Sequence, residues 1–215
     1  MKKKTRLLSR LGGMIIVVTT GGLLMAFTPL PEITKIAVNH QHHHDLVHDM
    51  DLGPADADYD LRFIDGMIVH HEGALVMAQD ALANSQRAEI RQLAQEIITA
   101  QELEIAQLQQ WRAQWYPQAP RELQAWHSGM NHMMAMSDDQ IAMMRMDVDL
   151  GPGDEEFDLR FIDAMIPHHE GALVMAQDAL AKSQRTEIQQ LSQEIISSQQ
   201  AEIEQMQQWR DAWFN

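Results

Sequence analysis

One eleven-residue stretch occurs twice in this chain: residues 67–77 read MIVHHEGALVM, and residues 165–175 read MIPHHEGALVM. In each copy, two adjacent histidines interrupt apolar residues that otherwise have helical spacing. The repeat extends well beyond this stretch, because residues 60–115 align without gaps onto residues 158–213 with 42 of 56 positions identical. Gapless identity at that level indicates an internal duplication.

Each copy has the pattern of a helical hairpin. In the first copy, the apolar spacing predicts helices over about 58–83 and 86–115, and Asn84-Ser85 predicts a turn and N-cap between them. An isolated hairpin would leave its apolar stripe exposed. Two hairpins that pack together bury both stripes, which predicts an all-α four-helix bundle. Alternatively, each copy could recruit further helices and form its own small domain.

The remaining segments flank the two hairpins. The chain begins with five basic residues followed by an uncharged run that contains small residues, which is typical of a secretory signal. That run is also long enough to be a retained membrane anchor. We divide the chain into a signal or anchor (1–30), a His-rich segment (31–57), a first hairpin (58–116), a Met/His-rich linker (117–154) and a second hairpin (155–215).

The composition limits the possible functions. The 215 residues include 16 Met and 11 His but no Cys, and the formal net charge of −15 would become −20 on loss of the five basic residues in the signal. Such an acidic chain is a poor partner for nucleic acid, because phosphate binding needs a basic surface. Without cysteine, any metal site must use histidine, methionine or carboxylate.

The helical period of about 100° per residue places both histidines of the first repeat on the buried side of their helix. His70 and His71 share that side with Met67 and Met77, whereas Glu72 points the other way. By itself, an inward histidine is more often a hydrogen-bonded core residue than a ligand, and a methionine in an apolar helix is by default core filler.

A glutamate falls inside the apolar stripe of the second predicted helix of each repeat, at Glu104 and Glu202. An unpaired buried carboxylate is costly, so we expect Glu104 to meet a histidine, a metal ion or the facing hairpin. A histidine that donates its second N–H to Glu104 would be oriented as metal-binding histidines usually are.

Two polar segments outside the hairpins hold further candidate metal ligands, with little core for them to fill. In the segment before the first hairpin these are His40, His42, His43, His44 and His48. In the linker they are His127, Met130, His132, Met133, Met134 and Met136, and Ser137 then predicts the N-cap of another helix. Metal binding explains both segments better than packing does.

Ligand softness selects the metal. Thioether sulfur binds Cu(I) and its analogue Ag(I) well and Zn(II), Mg(II) or Fe(III) poorly, whereas imidazole serves both Cu(I) and Cu(II). The sequence therefore predicts copper binding. The His-rich segment would suit Cu(II), and the Met-rich linker would suit Cu(I).

The repeated pattern, from Asp60 through Met-x-x-His-His-Glu-Gly-Ala to Gln-x-x-Glu-Ile and a closing Trp, resembles the family called domain of unknown function 305. The two-copy layout with Met- and His-rich segments is similar to exported cyanobacterial copper-resistance proteins of that family. The resemblance implies a ferritin-like bundle and periplasmic copper binding. It marks as ligands Met67, His70, His71, Met77, Met165, His168, His169 and Met175.

The two copies of the eleven-residue stretch differ at one position. Pro167 stands where the first copy has Val69. Proline inside a helix removes a backbone hydrogen bond and kinks the helix, so we expect the two sites to differ in geometry or affinity.

Three functions compete. The leading hypothesis is a non-catalytic exported protein that sequesters copper and contributes to copper resistance, with a membrane copper sensor or efflux system as candidate partner. A ferritin-like di-metal oxidase would need several inward carboxylates and Glu-x-x-His spacing, and the chain contains no Glu-x-x-His. The third is a helical interaction module whose histidines only hold the core.

Overall fold

The computed structural model describes residues 50–214 of the chain. The signal predicted over residues 1–30 and the five histidines predicted as ligands between residues 40 and 48 lie outside the described residues. Within residues 50–214, no helix is long and apolar enough to cross a membrane.

Four long helices, one short helix and a two-stranded antiparallel sheet make up residues 50–214. The elements are α1 (Tyr59–Asn84), α2 (Ala88–Trp115), β1 (Gln124–His127), β2 (His132–Ala135), α3 (Asp138–Arg145), α4 (Phe157–Lys182) and α5 (Thr186–Phe214). Helix α1 packs with α2, α4 packs with α5, and the two hairpins meet through α1 and α4. The predicted all-α helical bundle is confirmed.

The apolar core consists of two clusters. One joins the first half of α1 to the second half of α4 and includes Met67 and Met175. The other joins the second half of α1 to the first half of α4 and includes Met77 and Met165. Helices α1 and α4 are therefore antiparallel, and the two His-His pairs lie between the clusters along each helix.

The helix starts agree with the sequence in one case and differ in another. Ser137 caps α3 as predicted: its Oγ accepts from the Gln140 N–H at 3.2 Å, and Gln140 Oε1 accepts from the Ser137 N–H at 3.0 Å. The N-cap predicted at Asn84-Ser85 is wrong, because α2 begins after Arg87. Ser85 Oγ instead accepts from the Arg87 N–H at 3.1 Å and stabilises the turn.

Pro167 lies inside α4, which continues through it.

Paired arginines tie the hairpins together. Arg87 at the start of α2 contacts Asp158 at 3.2 Å and lies 4.3 Å from the ring of Trp213. Arg185 makes the equivalent contacts, with Asp60 at 3.2 Å and with the ring of Trp115 at 4.3 Å. Each hairpin therefore holds the end of the other through an ion pair and a stacked guanidinium.

The linker packs on α1 of the first hairpin. The Gln124 N–H at the start of β1 donates to Asp65 in α1 at 2.8 Å. Arg112 in α2 donates to the carbonyls of Pro120 and Glu122 at 2.9 and 3.2 Å. Strands β1 and β2 pair from Gln124 opposite Ala135 to His127 opposite His132, and α3 then returns along α1.

Candidate metal centre

Four imidazoles lie in the middle of the bundle, and we call them the histidine layer: His70, His71, His168 and His169. All four side chains are completely buried. The rings of His70 and His168 stack with centroids 3.9 Å apart, and His169 lies edge-on to His168 at 6.2 Å. The prediction that the histidines of the repeat face inward is confirmed.

The other orientation predictions are confirmed as well. Met67, Met77 and their counterparts Met165 and Met175 are all completely buried, and Glu72 is exposed. The two methionines of one repeat lie in different apolar clusters, and each shares its cluster with the opposite methionine of the other repeat.

A carboxylate holds one histidine of each repeat. His71 Nε2 lies 2.6 Å from Glu104 Oε2, and His169 Nε2 lies 2.6 Å from Glu202 Oε2. The expectation that Glu104 meets a histidine is confirmed. In both rings, Nδ1 is buried and has no hydrogen-bond partner. A neutral ring that donates from Nε2 carries a lone pair on Nδ1, which is the form of imidazole that binds a metal ion.

Each of the other two histidines contacts a backbone carbonyl of the linker, and His70 also contacts one in α4. His70 Nδ1 lies 2.7 Å from Met144 O, and its Nε2 lies 2.8 Å from His168 O. His168 Nε2 lies 3.0 Å from Arg145 O, while its Nδ1 is buried without a partner. Because a neutral imidazole has one N–H, His70 can donate to only one of its two carbonyls at a time.

Burial keeps these two rings uncharged. Desolvation lowers the pKa of His70 to about 4, against the opposing effect of the Met144 and His168 carbonyls. Desolvation and the neighbouring His70 ring hold the pKa of His168 well below its usual value. At neutral pH both rings are therefore neutral and do not repel a cation.

Sequence reasoning missed one methionine beside the layer. The Met146 sulfur and the His70 ring both lie against the position that a Cβ on Gly171 would occupy, 3.2 and 3.1 Å from it. Met146 ends α3 in a left-handed conformation with φ of 49°. The only signal for it was the crowding of seven methionines between residues 130 and 146.

The donor set of the layer favours a soft metal ion. Within residues 50–214, no three His, Asp or Glu side chains are grouped so that they could hold a metal ion. A site in the histidine layer would therefore need thioether sulfur beside imidazole, and that combination suits Cu(I) or Ag(I).

The predicted ligands of the linker are spread over the strand hairpin. Met130 at its tip is 61% exposed, His132 is exposed, and His127 and Met133 are half-buried. Met134 is also half-buried and lines a cleft beneath α3.

The expectation that the linker methionines have little core to fill is wrong for part of the set. Met144 is buried, and Met136 and Met146 pack against the apolar cluster of Met67. They reach it because the linker folds back along α1, an arrangement that helical periodicity does not reveal.

Comparisons with solved structures identify similar folds. CopM in the Cu(I)-bound form is 36% identical, with a TM-score of 0.56 over 73% of this chain and 98% of CopM. CopM in the Cu(II)-bound form is 34% identical, with a TM-score of 0.57 over 72% and 98%. CopM in the silver-bound form obtained by soaking is 33% identical, with a TM-score of 0.57 over 73% and 98%.

Sequence comparisons give the family. No curated protein sequence matches the chain. The family described as a domain of unknown function, DUF305, matches residues 60–210, which include both hairpins and the histidine layer. The chain belongs to the DUF305 family.

Proposed function

We propose that this chain is an exported, non-catalytic copper-binding protein that sequesters Cu(I) and Cu(II) outside the cytoplasm and contributes to copper resistance. The observation that carries the proposal is the pair of buried, unpartnered Nδ1 atoms of His71 and His169, whose Nε2 atoms are held by Glu104 and Glu202. Unsatisfied polar atoms are costly in a protein interior. A cation bound at either ring would satisfy its Nδ1 atom.

Copper is favoured over other metals by the chemistry of the surroundings. The buried thioethers of Met67, Met77, Met165 and Met175 lie on either side of the histidine layer, and soft sulfur with imidazole favours Cu(I). The similarity to CopM, which has been solved with Cu(I), Cu(II) and silver, supports the same choice.

Cu(II) is assigned to the His-rich segment, where His40, His42, His43, His44 and His48 provide nitrogen ligands. The basic and then uncharged start of the chain supports export to the periplasm or outside the cell, with a membrane anchor if the segment is retained. A membrane copper sensor or efflux system is the candidate partner.

The experiment is a Cu(I) titration against a competing chelator under reducing conditions. The double variant His71→Ala/His169→Ala should bind Cu(I) at least tenfold more weakly than the wild type. The variant Glu104→Gln should lose about 10- to 100-fold, because the carboxylate orients the ring.

Glu72→Ala is the matched control, since Glu72 adjoins His71 but is exposed. It should bind as the wild type does. Copper should also raise the unfolding temperature, because a ligand of the native state stabilises it by about 2.7 kcal/mol at a hundredfold excess over Kd. A wild-type protein with no measurable Cu(I) affinity would refute the proposal, and stoichiometric iron in the purified protein would favour the oxidase instead.

A further inference from the structure

A second group of methionines lines a cleft between the strand hairpin and α3, remote in sequence from the His-His pairs. The cleft has a volume of about 430 Å³. We call it the methionine cleft, because four of the residues that line it are methionines: Met134, Met136, Met143 and Met144.

The walls of the cleft are held in place by backbone structure. Met134 and Met136 are two residues apart on extended chain, so their side chains project to the same side. The Met136 N–H donates to Leu123 O at 2.8 Å. The capping box at Ser137 then starts α3 immediately after the strand, and α3 supplies Met143 and Met144 from the facing wall.

Core packing explains only part of this group. Met144 is 6% exposed and packs into the core, and Met136 packs against the core, whereas Met143 is 48% exposed. Met134 is half-buried and lies outside the apolar clusters. A half-exposed methionine on the wall of an open cleft contributes little to the core, but its sulfur remains accessible to a metal ion.

The neighbouring histidine restricts which metal the cleft could take. His127 also lines the cleft, but its Nδ1 accepts the Met130 N–H at 3.1 Å. In a neutral ring, Nε2 must then carry the proton, so His127 offers no free lone pair. The donors left on the two walls are thioethers, which suit Cu(I) and Ag(I) but not Cu(II).

Two carboxylates lie at the same cleft, Asp51 and Asp139, and both are exposed. Negative charge at the mouth of a cleft raises the local concentration of cations. Carboxylates are poor ligands for a monovalent soft ion, so they would attract the ion without competing with sulfur for it.

We propose that the methionine cleft is a second metal site, selective for Cu(I) or Ag(I), whose donor atoms are distinct from those of the histidine layer. The inference rests on the proposed copper-binding function. It adds that the chain holds one soft ion through thioether sulfur alone.

The test compares Ag(I) and Cu(I) stoichiometry in two sets of variants. The triple variant Met134→Leu/Met136→Leu/Met143→Leu should lose one equivalent of Ag(I) or Cu(I) and keep its full Cu(II) binding. Leucine preserves the approximate volume, so circular dichroism and the unfolding temperature should match those of the wild type. In the His71→Ala/His169→Ala variant, the equivalent in the cleft should remain, and adding the triple change should remove only sulfur neighbours from the X-ray absorption spectrum.

Met206→Leu is the matched control, since Met206 lies in α5, outside the cleft and outside the predicted metal ligands. It should retain every equivalent. Full Ag(I) stoichiometry in the triple variant would overturn the inference and leave the copper-binding function standing. A wild type that binds neither ion would overturn both, and a loss of nitrogen neighbours when the triple change is added to the His71→Ala/His169→Ala variant would overturn the all-sulfur assignment.

Discussion

The two hairpin repeats make the same ion pair in different surroundings. Asp65 contacts Arg112 at 2.6 Å, and its counterpart Asp163 contacts Arg210 at the same distance. Asp65 is completely buried and Arg112 is 18% exposed, whereas Asp163 and Arg210 are 45% and 43% exposed. The sequence of the repeat specifies the pair, and the linker on the first repeat decides whether water reaches it.

A second pair of positions shows the same difference. Arg62 and Arg160 each donate from Nε to the backbone carbonyl ten residues earlier, at 2.6 Å. Arg62 is completely buried and Arg160 is 31% exposed. The ring of Trp126, in the linker, lies 5.2 Å from the guanidinium of Arg62. Duplication therefore copied the local bonds but not their environment.

The largest expected difference between the repeats is at the aspartates. Asp65→Ala should lower the free energy of unfolding by about 3 kcal/mol, because it breaks a buried pair and leaves Arg112 without its carboxylate. Asp163→Ala should lower the free energy of unfolding by at most about 1 kcal/mol, because exposed ion pairs contribute little to stability. Urea denaturation of both variants measures the difference, and equal losses would contradict the role given to the linker.

The next effect concerns the glycines that follow the His-His-Glu motif. A Cβ on Gly73 would overlap the Arg145 carbonyl, whereas a Cβ on Gly171 would meet His70 and Met146 at 3.1 and 3.2 Å. Gly73→Ala should destabilise the protein by about 2 kcal/mol, because the end of α3 must move. Gly171→Ala should be within about 1 kcal/mol of the wild type, because the gain in helix propensity offsets the tighter contact.

The same denaturation series tests this prediction. Gly73→Ala should also alter the nitrogen chemical shifts of His70 and His168, because the Met144 and Arg145 carbonyls that contact these rings lie on the displaced segment. If Gly171→Ala proved the more damaging change, α3 would have to pack more closely on the second repeat than the structure has it.

The smallest expected difference between the repeats is in the titration of their buried histidines, which should behave alike. The pKa of His70 is lowered to about 4 by burial, and that of His168 is lowered in the same direction. Below the unfolded value of about 6.5, the unfolded chain binds protons that the native rings do not. Stability present above that pH is therefore lost as the pH falls below about 6.5, by up to about 1.4 kcal/mol per pH unit for each ring. For His70 the loss continues down to about pH 4.

Single substitutions isolate the two contributions. His70→Gln and His168→Gln should each reduce, by about one proton, the slope of the metal-free unfolding free energy against pH between 6.5 and 5.5. The comparison with the wild type removes the contribution of carboxyl groups that titrate nearby. An unchanged slope in His70→Gln would mean that the ring is charged in the native protein and donates to both carbonyls.

Much of the site could be predicted from helical spacing. The inward direction of His70 and His71, the outward direction of Glu72 and the inward position of Glu104 all follow from the period of about 100° per residue. These are properties of single helices. The partnership of His71 with Glu104 needed only the further assumption that the two helices of a hairpin face each other.

The other contacts could not be predicted in this way. His70 meets the carbonyl of Met144, 74 residues away, and Met146 lies beside that ring. A linker that pairs as strands, caps a short helix and returns along α1 has no helical period through most of its length. The methionine cleft arises from the same return, because its two walls are a strand and a helix of the linker.

By itself, the sequence determined a duplicated helical hairpin, the buried face of each helix and the soft donors on that face, because periodicity and residue chemistry are local properties. Only the tertiary structure decided that the linker covers the first repeat, that its carbonyls contact both His70 and His168, and that four of its methionines line one cleft. The physical reason is that burial and backbone hydrogen bonds between distant segments depend on where the chain returns. Two nearly identical repeats carry no information about which of them the linker will cover.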